Sequence, residues 1–286
     1  MADAVTVDEL HPGDHACLTF TDPDERLDLV AEFVADGLHR GQRVICFTDS
    51  LSPDELAAEL AMREVAAVAA IGSGQLTLYA SHDAPAVEGG ATAERMVALI
   101  AAERHRAARR GVPGLRVAAD MCWAGRPMAV DQLLTFERQA ASLFTDGRLT
   151  AICQYDRETF DAVTLAFAAD AHHKTIAALA YHDTPLLRIC RQHRPAGVRI
   201  AGEMDYTHLE PLGQALTEAL RLDDNIHLNL TKLRFIDVTA ATAIVQSALA
   251  LPAPRRMTVS CPPPVAAVLE AVGAGQATQM SLQRQP

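Results

Sequence analysis

The sequence predicts an α/β protein: a mostly parallel sheet with helices on both faces, followed by a smaller α/β domain. Three observations carry this. Along the first two-thirds of the chain, short apolar runs alternate with helical stripes, the pattern of parallel strands joined by helical crossovers. After Asp183-Thr-Pro185 the pattern changes, because 186–190 and 198–202 both read as strands with no room for a helix between them. The chain has 286 residues, 49% of them hydrophobic, enough for one large or two ordinary domains with a real core.

The elements follow in order. His15 to Phe20 reads as a short strand, and Thr21 to Asp24 as a turn. Leu27, Leu29, Val30, Phe33, Val34 and Leu38 form a helical stripe, its end bracketed by Gly37 and Gly41,. Arg43 to Phe47 is a second strand. Ser52-Pro-Asp-Glu55 has the capping-box form with Pro at the first helical position,, and its helix is expected to run to Ile71. Gln75 to Tyr79 is a third strand, 82–91 a loop, and Thr92 to Arg110 a long helix with a solvated arginine face,. Leu115 to Ala119 is a fourth strand, ending at Asp120-Met-Cys-Trp123. Val130 to Phe144 is helical, Leu149 to Tyr155 is a fifth strand, and Phe160 to Leu179 is read as a helix containing His172 and His173. The hairpin opens the second domain. It is followed by a helix over Leu209 to Leu222, a strand entering Leu230, a helix after Asp237, a strand over Met257 to Cys261 and a helix over Val265 to Val272. The tail from Gln276 is expected to fray.

The formal net charge is −11. Residues 196–286 hold seven Lys/Arg and eight Asp/Glu, which leaves −10 for residues 1–195. A broadly acidic surface argues against nucleic acid and anionic membrane as partners. Cys17, Cys46, Cys122, Cys153, Cys190 and Cys261 are scattered with no CxxC, which suits a reducing cytoplasm. The N-terminal stretch lacks the apolar segment of a signal peptide,, and no apolar run approaches membrane-spanning length.

Two places carry chemistry. His15 and Cys17 are two residues apart on a strand and so share a face. The plain reading is a buried thiol and a backbone-bonded histidine, with no metal, because no close second pair completes a tetrahedral set. Cys122, Cys153 and His172 or His173 complete one only if the fold gathers them. Asp120, Trp123, Tyr155 and Asp156 lie at the ends of strands four and five, where an open α/β sheet places its ligand crevice. With His15 and Cys17 they are the expected ligand-binding residues. Second, Asp237 stands at a helix N-cap position, and Thr239 falls in the first turn beyond it,. Phosphate there would meet the positive end of a helix dipole.

The run Phe235-Ile236-Asp237-Val238-Thr239-Ala240 resembles the apolar-Asp-Ser-(Ser/Thr)-Gly turn of STAS domains, the anti-sigma-factor antagonist fold. Val238 stands where that family has Ser, and Ala240 where it has Gly. Ala201-Gly-Glu-Met-Asp205 looks like the turn after that family's first hairpin. The resemblance covers about 186–280. It implies phosphorylation at Thr239 and partner binding through Asp237, Val238 and Thr239, the partner being an anti-sigma factor or Ser/Thr kinase.

Residues 10–183 resemble the MEDS domain, a sensory domain named after methanogen and dichloromethane regulators. The matching residues are His15-x-Cys17, Gly37-Leu38 with Gly41, Gly114 to Val117 with Asp120-Met-x-Trp123, Glu137, Ile152 to Arg157 with Phe160, and His172-His173. This implies a cytoplasmic sensor, with a small molecule as the expected signal; the sequence names neither that ligand nor a cofactor, and the chain is expected not to be an enzyme. The layout also looks like a RecA-like ATPase core, but Thr21 to Arg26 stands where a Gly-rich phosphate loop would be, and its acids disfavour triphosphate,. A cryptic nucleotide-binding ATPase, or a metal or redox sensor using His15 and Cys17, are the competing readings.

Overall fold

A computed structural model describes residues 3–81, 92–125 and 130–285. The chain divides into two compact units, Met1–Ala177 and Ala178–Pro286. The loop expected at 82–91 lies outside the described residues.

The first unit runs β1 (Asp3–Val5), β2 (His15–Phe20), α1 (Pro23–His39), β3 (Arg43–Thr48), α2 (Pro53–Met62), α3 (Ala67–Gly72), β4 (Leu76–Ala80), α4 (Thr92–Arg109), β5 (Leu115–Asp120), α5 (Val130–Ala140), β6 (Leu149–Asp156), α6 (Ala162–Ala171) and β7 (Lys174–Ile176). Its seven strands are ordered β1-β7-β2-β6-β5-β3-β4, and every pairing is parallel. This is the parallel sheet expected from the sequence. Helices cover both faces, so the strands are apolar with little interruption: β5 is buried at all six positions, as parallel strands are.

Local chemistry sets the elements. Asp22 caps α1, its carboxylate accepting from the Asp24 N–H at 3.0 Å, with Pro23 at the first helical position,. At α2 the capping box forms: Ser52 Oγ accepts from Glu55 N at 3.3 Å, and Glu55 Oε2 from Ser52 N at 2.8 Å,. The helix expected from there to Ile71 is broken between Met62 and Ala67, with Glu64 at φ 58°. Gly37 is required by packing. A Cβ there would meet Arg116 Cδ at 2.7 Å, and Arg116 is 2% exposed, giving Nε to Gln42 and Nη1 to the Phe33 carbonyl.

The second unit runs β8 (Ala180–Asp183), β9 (Leu187–His193), β10 (Ala196–Met204), α7 (Leu209–Leu222), β11 (Ile226–Asn229), β12 (Leu233–Ile236), α8 (Val238–Leu249), β13 (Met257–Cys261), α9 (Pro263–Ala271) and β14 (Met280–Arg284). Its sheet is ordered β14-β13-β11-β10-β9-β8, with β12 on β10. The β9–β10 hairpin is antiparallel, and the strands from β10 to β14 pair in parallel. Ile189 on β9 packs into a core with Ile200, Leu216, Leu228, Ile244, Val259 and Leu269. At Gly202 (φ 113°) a Cβ would lie 2.0 Å from the Leu186 carbonyl, where the β10–β12 register shifts.

Three further expectations are corrected. The helix read over 160–179 stops at Ala171, and Lys174–Ile176 is a strand; the alanine run conceals a β-branched exit. Residues 180–183, assigned to the first domain, pair with β9 in the second sheet. The tail does not fray at Gln276, because Met280–Arg284 pairs with β13 as an edge strand.

Candidate functional site

The site in the first unit is assembled by strand alternation. In register, Cys17 lies beside Cys153 and His15 beside Ala151. Side chains at 15, 17, 151, 153 and 155 therefore face one side of the sheet, the side packed by α4 and α5 through Met96, Ile100, Leu133 and Phe136. Glu137 enters from α5, beside the buried Leu133, Phe136 and Ala140. His172 enters as the C-cap of α6.

Four side chains converge there. His15, Glu137, Cys153 and His172 are 7%, 4%, 1% and 3% exposed, and a ligand atom from each lies within 4.8 Å of all the others. His15 Nε2 is 3.4 Å from Cys153 Sγ and 3.6 Å from Glu137 Oε2. His172 Nε2 is 3.7 Å from the same carboxylate oxygen. His15 also stacks on Phe144, with centroids 4.4 Å apart.

Two outer contacts aim these groups. His172 Nδ1 is 2.6 Å from the Ala168 carbonyl. A carbonyl only accepts, so Nδ1 carries the proton and Nε2 presents a lone pair. The contact also satisfies a carbonyl in the last turn of α6. Tyr155 donates its hydroxyl to Glu137 Oε1 at 2.5 Å, which turns Oε2 toward the histidines. Glu137 Oε2 and His172 Nε2 are buried with no hydrogen-bond partner among the described residues.

Burial governs the protonation of this group. It pushes Glu137 up to about 7, against the opposing hydrogen bond from Tyr155. It lowers His172 to about 4. It holds His15 well below its ordinary value, aided by His172 and His173. Cys153 is raised well above the ordinary thiol range by burial and then by Glu137. Each group favours its neutral form when buried.

The residues expected to share one crevice are divided by the sheet. His15, Cys17 and Tyr155 lie with the four-residue group, and Cys17 Sγ reaches Thr175 Oγ1 at 3.4 Å. Asp120 pairs in register with Gln154, not Tyr155, and so points to the other face. There its Oδ2 accepts from Arg26 Nη1 at 3.0 Å and from Ser50 Oγ at 2.6 Å, and its Oδ1 from Cys122 N at 3.0 Å. Burial would raise Asp120, but Arg26 and these donors hold it below the ordinary carboxylate range. Trp123 is 4% exposed and meets Phe136 edge-on. Asp156 closes the turn after β6, accepting from Glu158 N at 2.9 Å. The sequence offers Cys153 and His172 only as conditional complements to His15, and it does not single out Glu137 as a ligand. The signal for Glu137 is an acid on the apolar stripe of its own helix.

In the second unit Asp237 caps α8. Its Oδ1 accepts from Ala240 N at 2.7 Å and its Oδ2 from Tyr206 N at 2.8 Å. Val238 and Thr239 are exposed in the first turn. Tyr206, Phe235 and Val238 are 65%, 51% and 64% exposed.

The family model MEDS (MEthanogen/methylotroph, DcmR Sensory domain) matches residues 14–173. Among solved structures, the chain is similar to a KaiC-like protein from Pyrococcus horikoshii, at 13% identity and a TM-score of 0.46, covering 64% of this chain and 80% of that one. It is also similar to the flagellar accessory protein FlaH from Methanocaldococcus jannaschii, at 10% identity and a TM-score of 0.44, covering 64% and 78%. No curated protein matches the sequence.

Proposed function

Since the chain belongs to the MEDS family, a family of sensory domains, we propose that it is a two-part signalling regulator whose first unit senses a small molecule and whose second unit is a STAS-like partner-binding module. The partner is an anti-sigma factor or a Ser/Thr kinase of that type. The observation that carries the output half is the start of α8. Asp237 commits both carboxylate oxygens to backbone N–H groups, leaving Thr239 exposed beside the positive end of a helix,. Around it Tyr206, Phe235 and Val238 expose apolar surface, a feature of interaction sites. The antiparallel opening hairpin supports the same reading.

We read the first unit as non-hydrolysing. Only Thr21 and Asp22 separate β2 from α1, and the Asp22 carboxylate already occupies the helix N-terminus where a phosphate would be held,. All six cysteines are free, which supports a reducing cytoplasm as the compartment. No helix among the described residues is long and apolar enough to cross a membrane.

The test is recovery of a partner from native cytoplasm with the full chain as bait, repeated with Phe235→Asp. The expected partner is an anti-sigma factor or kinase that the variant loses. A partner retained equally by the folded variant would exclude this face.

A further inference from the structure

We propose that His15, Glu137, Cys153 and His172 together bind one divalent metal ion of the zinc class inside the first unit. The inference goes beyond the sensor–output reading and requires neither Thr239 nor a partner.

The donor set is two imidazole nitrogens, one thiolate and one carboxylate. That mixture suits zinc and its borderline neighbours, while magnesium and calcium prefer oxygen alone. The spacing fits as well. Bonds of about 2.0–2.3 Å arranged tetrahedrally place ligand atoms about 3.3–3.6 Å apart. Three of the six edges are 3.4, 3.6 and 3.7 Å, and no edge exceeds 4.8 Å, so a small inward movement of the ligands reaches that spacing.

Charge balance selects the oxidation state. One thiolate and one carboxylate cancel a charge of two, so a divalent ion leaves the buried site neutral, which a monovalent or trivalent ion would not. The outer contacts already orient the ligands as a metal requires. The Ala168 carbonyl fixes the His172 tautomer, and Tyr155 holds the far oxygen of Glu137. The two atoms those contacts free, Glu137 Oε2 and His172 Nε2, are buried without a partner among the described residues. Buried polar atoms are rarely left so, and an ion between them engages both. With four protein ligands the site is closed, the form of a resident ion rather than one that activates a substrate. The ligands come from β2, α5, β6 and the end of α6, so the ion would tie two helices to the sheet.

The test is cobalt(II) titration of the full chain, stripped with a chelator under reducing conditions, followed by zinc(II) displacement. The expected result is one cobalt per chain, with tetrahedral visible bands and a thiolate-to-cobalt band in the near ultraviolet, all removed by zinc. Cys153→Ser should lose the thiolate band. Tyr155→Phe should keep it with affinity lower by about 10–100-fold. Cys46→Ser, on the opposite sheet face, should change neither. A folded wild-type chain that takes up no cobalt, or takes it up without a thiolate band, overturns the proposal, as does a band unchanged in Cys153→Ser. Should Cys153→Ser fail to fold, the wild-type spectrum decides alone.

Discussion

Glu137 Oε2 and His172 Nε2 face each other at 3.7 Å in the core of the first unit, and neither has a hydrogen-bond partner among the described residues. Each is held there by a contact on its other side, from Tyr155 and to Ala168 respectively. Buried polar atoms without a partner cost roughly 1–3 kcal/mol each. An ion bound as proposed above would engage both atoms.

Tyr155 is fully buried and its hydroxyl is committed to Glu137. Tyr155→Phe should cost about 1–2 kcal/mol, because it leaves a second carboxyl oxygen unsatisfied. Urea unfolding of the full chain measures this. A neutral substitution would mean the hydrogen bond does not hold Glu137.

Asp120 should prove structural. It is the buried counter-ion of Arg26, which is 4% exposed. Asp120→Ala strands a buried guanidinium and should cost about 3–5 kcal/mol. Denaturation followed through Trp123, the single tryptophan, reports it. A loss below about 1 kcal/mol, the size of a surface pair, would contradict the assignment.

The alternation of strands and helices makes the parallel sheet legible, and capping chemistry places α2 and α8. What stays hidden depends on register. Period-two alternation puts His15 and Cys17 on one face, but it does not relate one strand to the next. Asp120 and Tyr155 look like neighbours at two strand ends, yet the pairing of Asp120 with Gln154 puts them on opposite faces. His172 is hidden by an alanine-rich run that reads as continuous helix. β14 is hidden because an edge strand needs few apolar residues.

His227 should give the second unit an acid-sensitive step. Its Nε2 lies 2.9 Å from Ser260 Oγ, and its Nδ1 lies 3.0 Å from the Gln192 amide nitrogen, which can only donate. Burial, then Arg199, lowers it from 6.5 to about 4. The unfolded chain therefore takes up the proton first. Stability should be full above about pH 6.5 and decline between about 6.5 and 4, by at most about 3 kcal/mol. Amide hydrogen exchange in β11 and β13 should show this decline, and His227→Gln should flatten it. Equal slopes would assign the effect elsewhere.

Phosphate release from ATP should not exceed a blank, since the Asp22 carboxylate stands at the start of α1. Release above the blank that Asp120→Ala abolishes, with the variant still folded, would restore the hydrolase reading.

The output face is tested most directly by the affinity of the recovered partner for wild type, Thr239→Ala and Thr239→Asp. Phosphate on Thr239 would add about −1.5 to −2 charges beside exposed Val238,, and an acidic group there should block close approach. Wild type and Thr239→Ala should bind alike, and Thr239→Asp at least about tenfold more weakly, a difference of about 1.4 kcal/mol. Equal affinities in all three folded proteins would contradict the account.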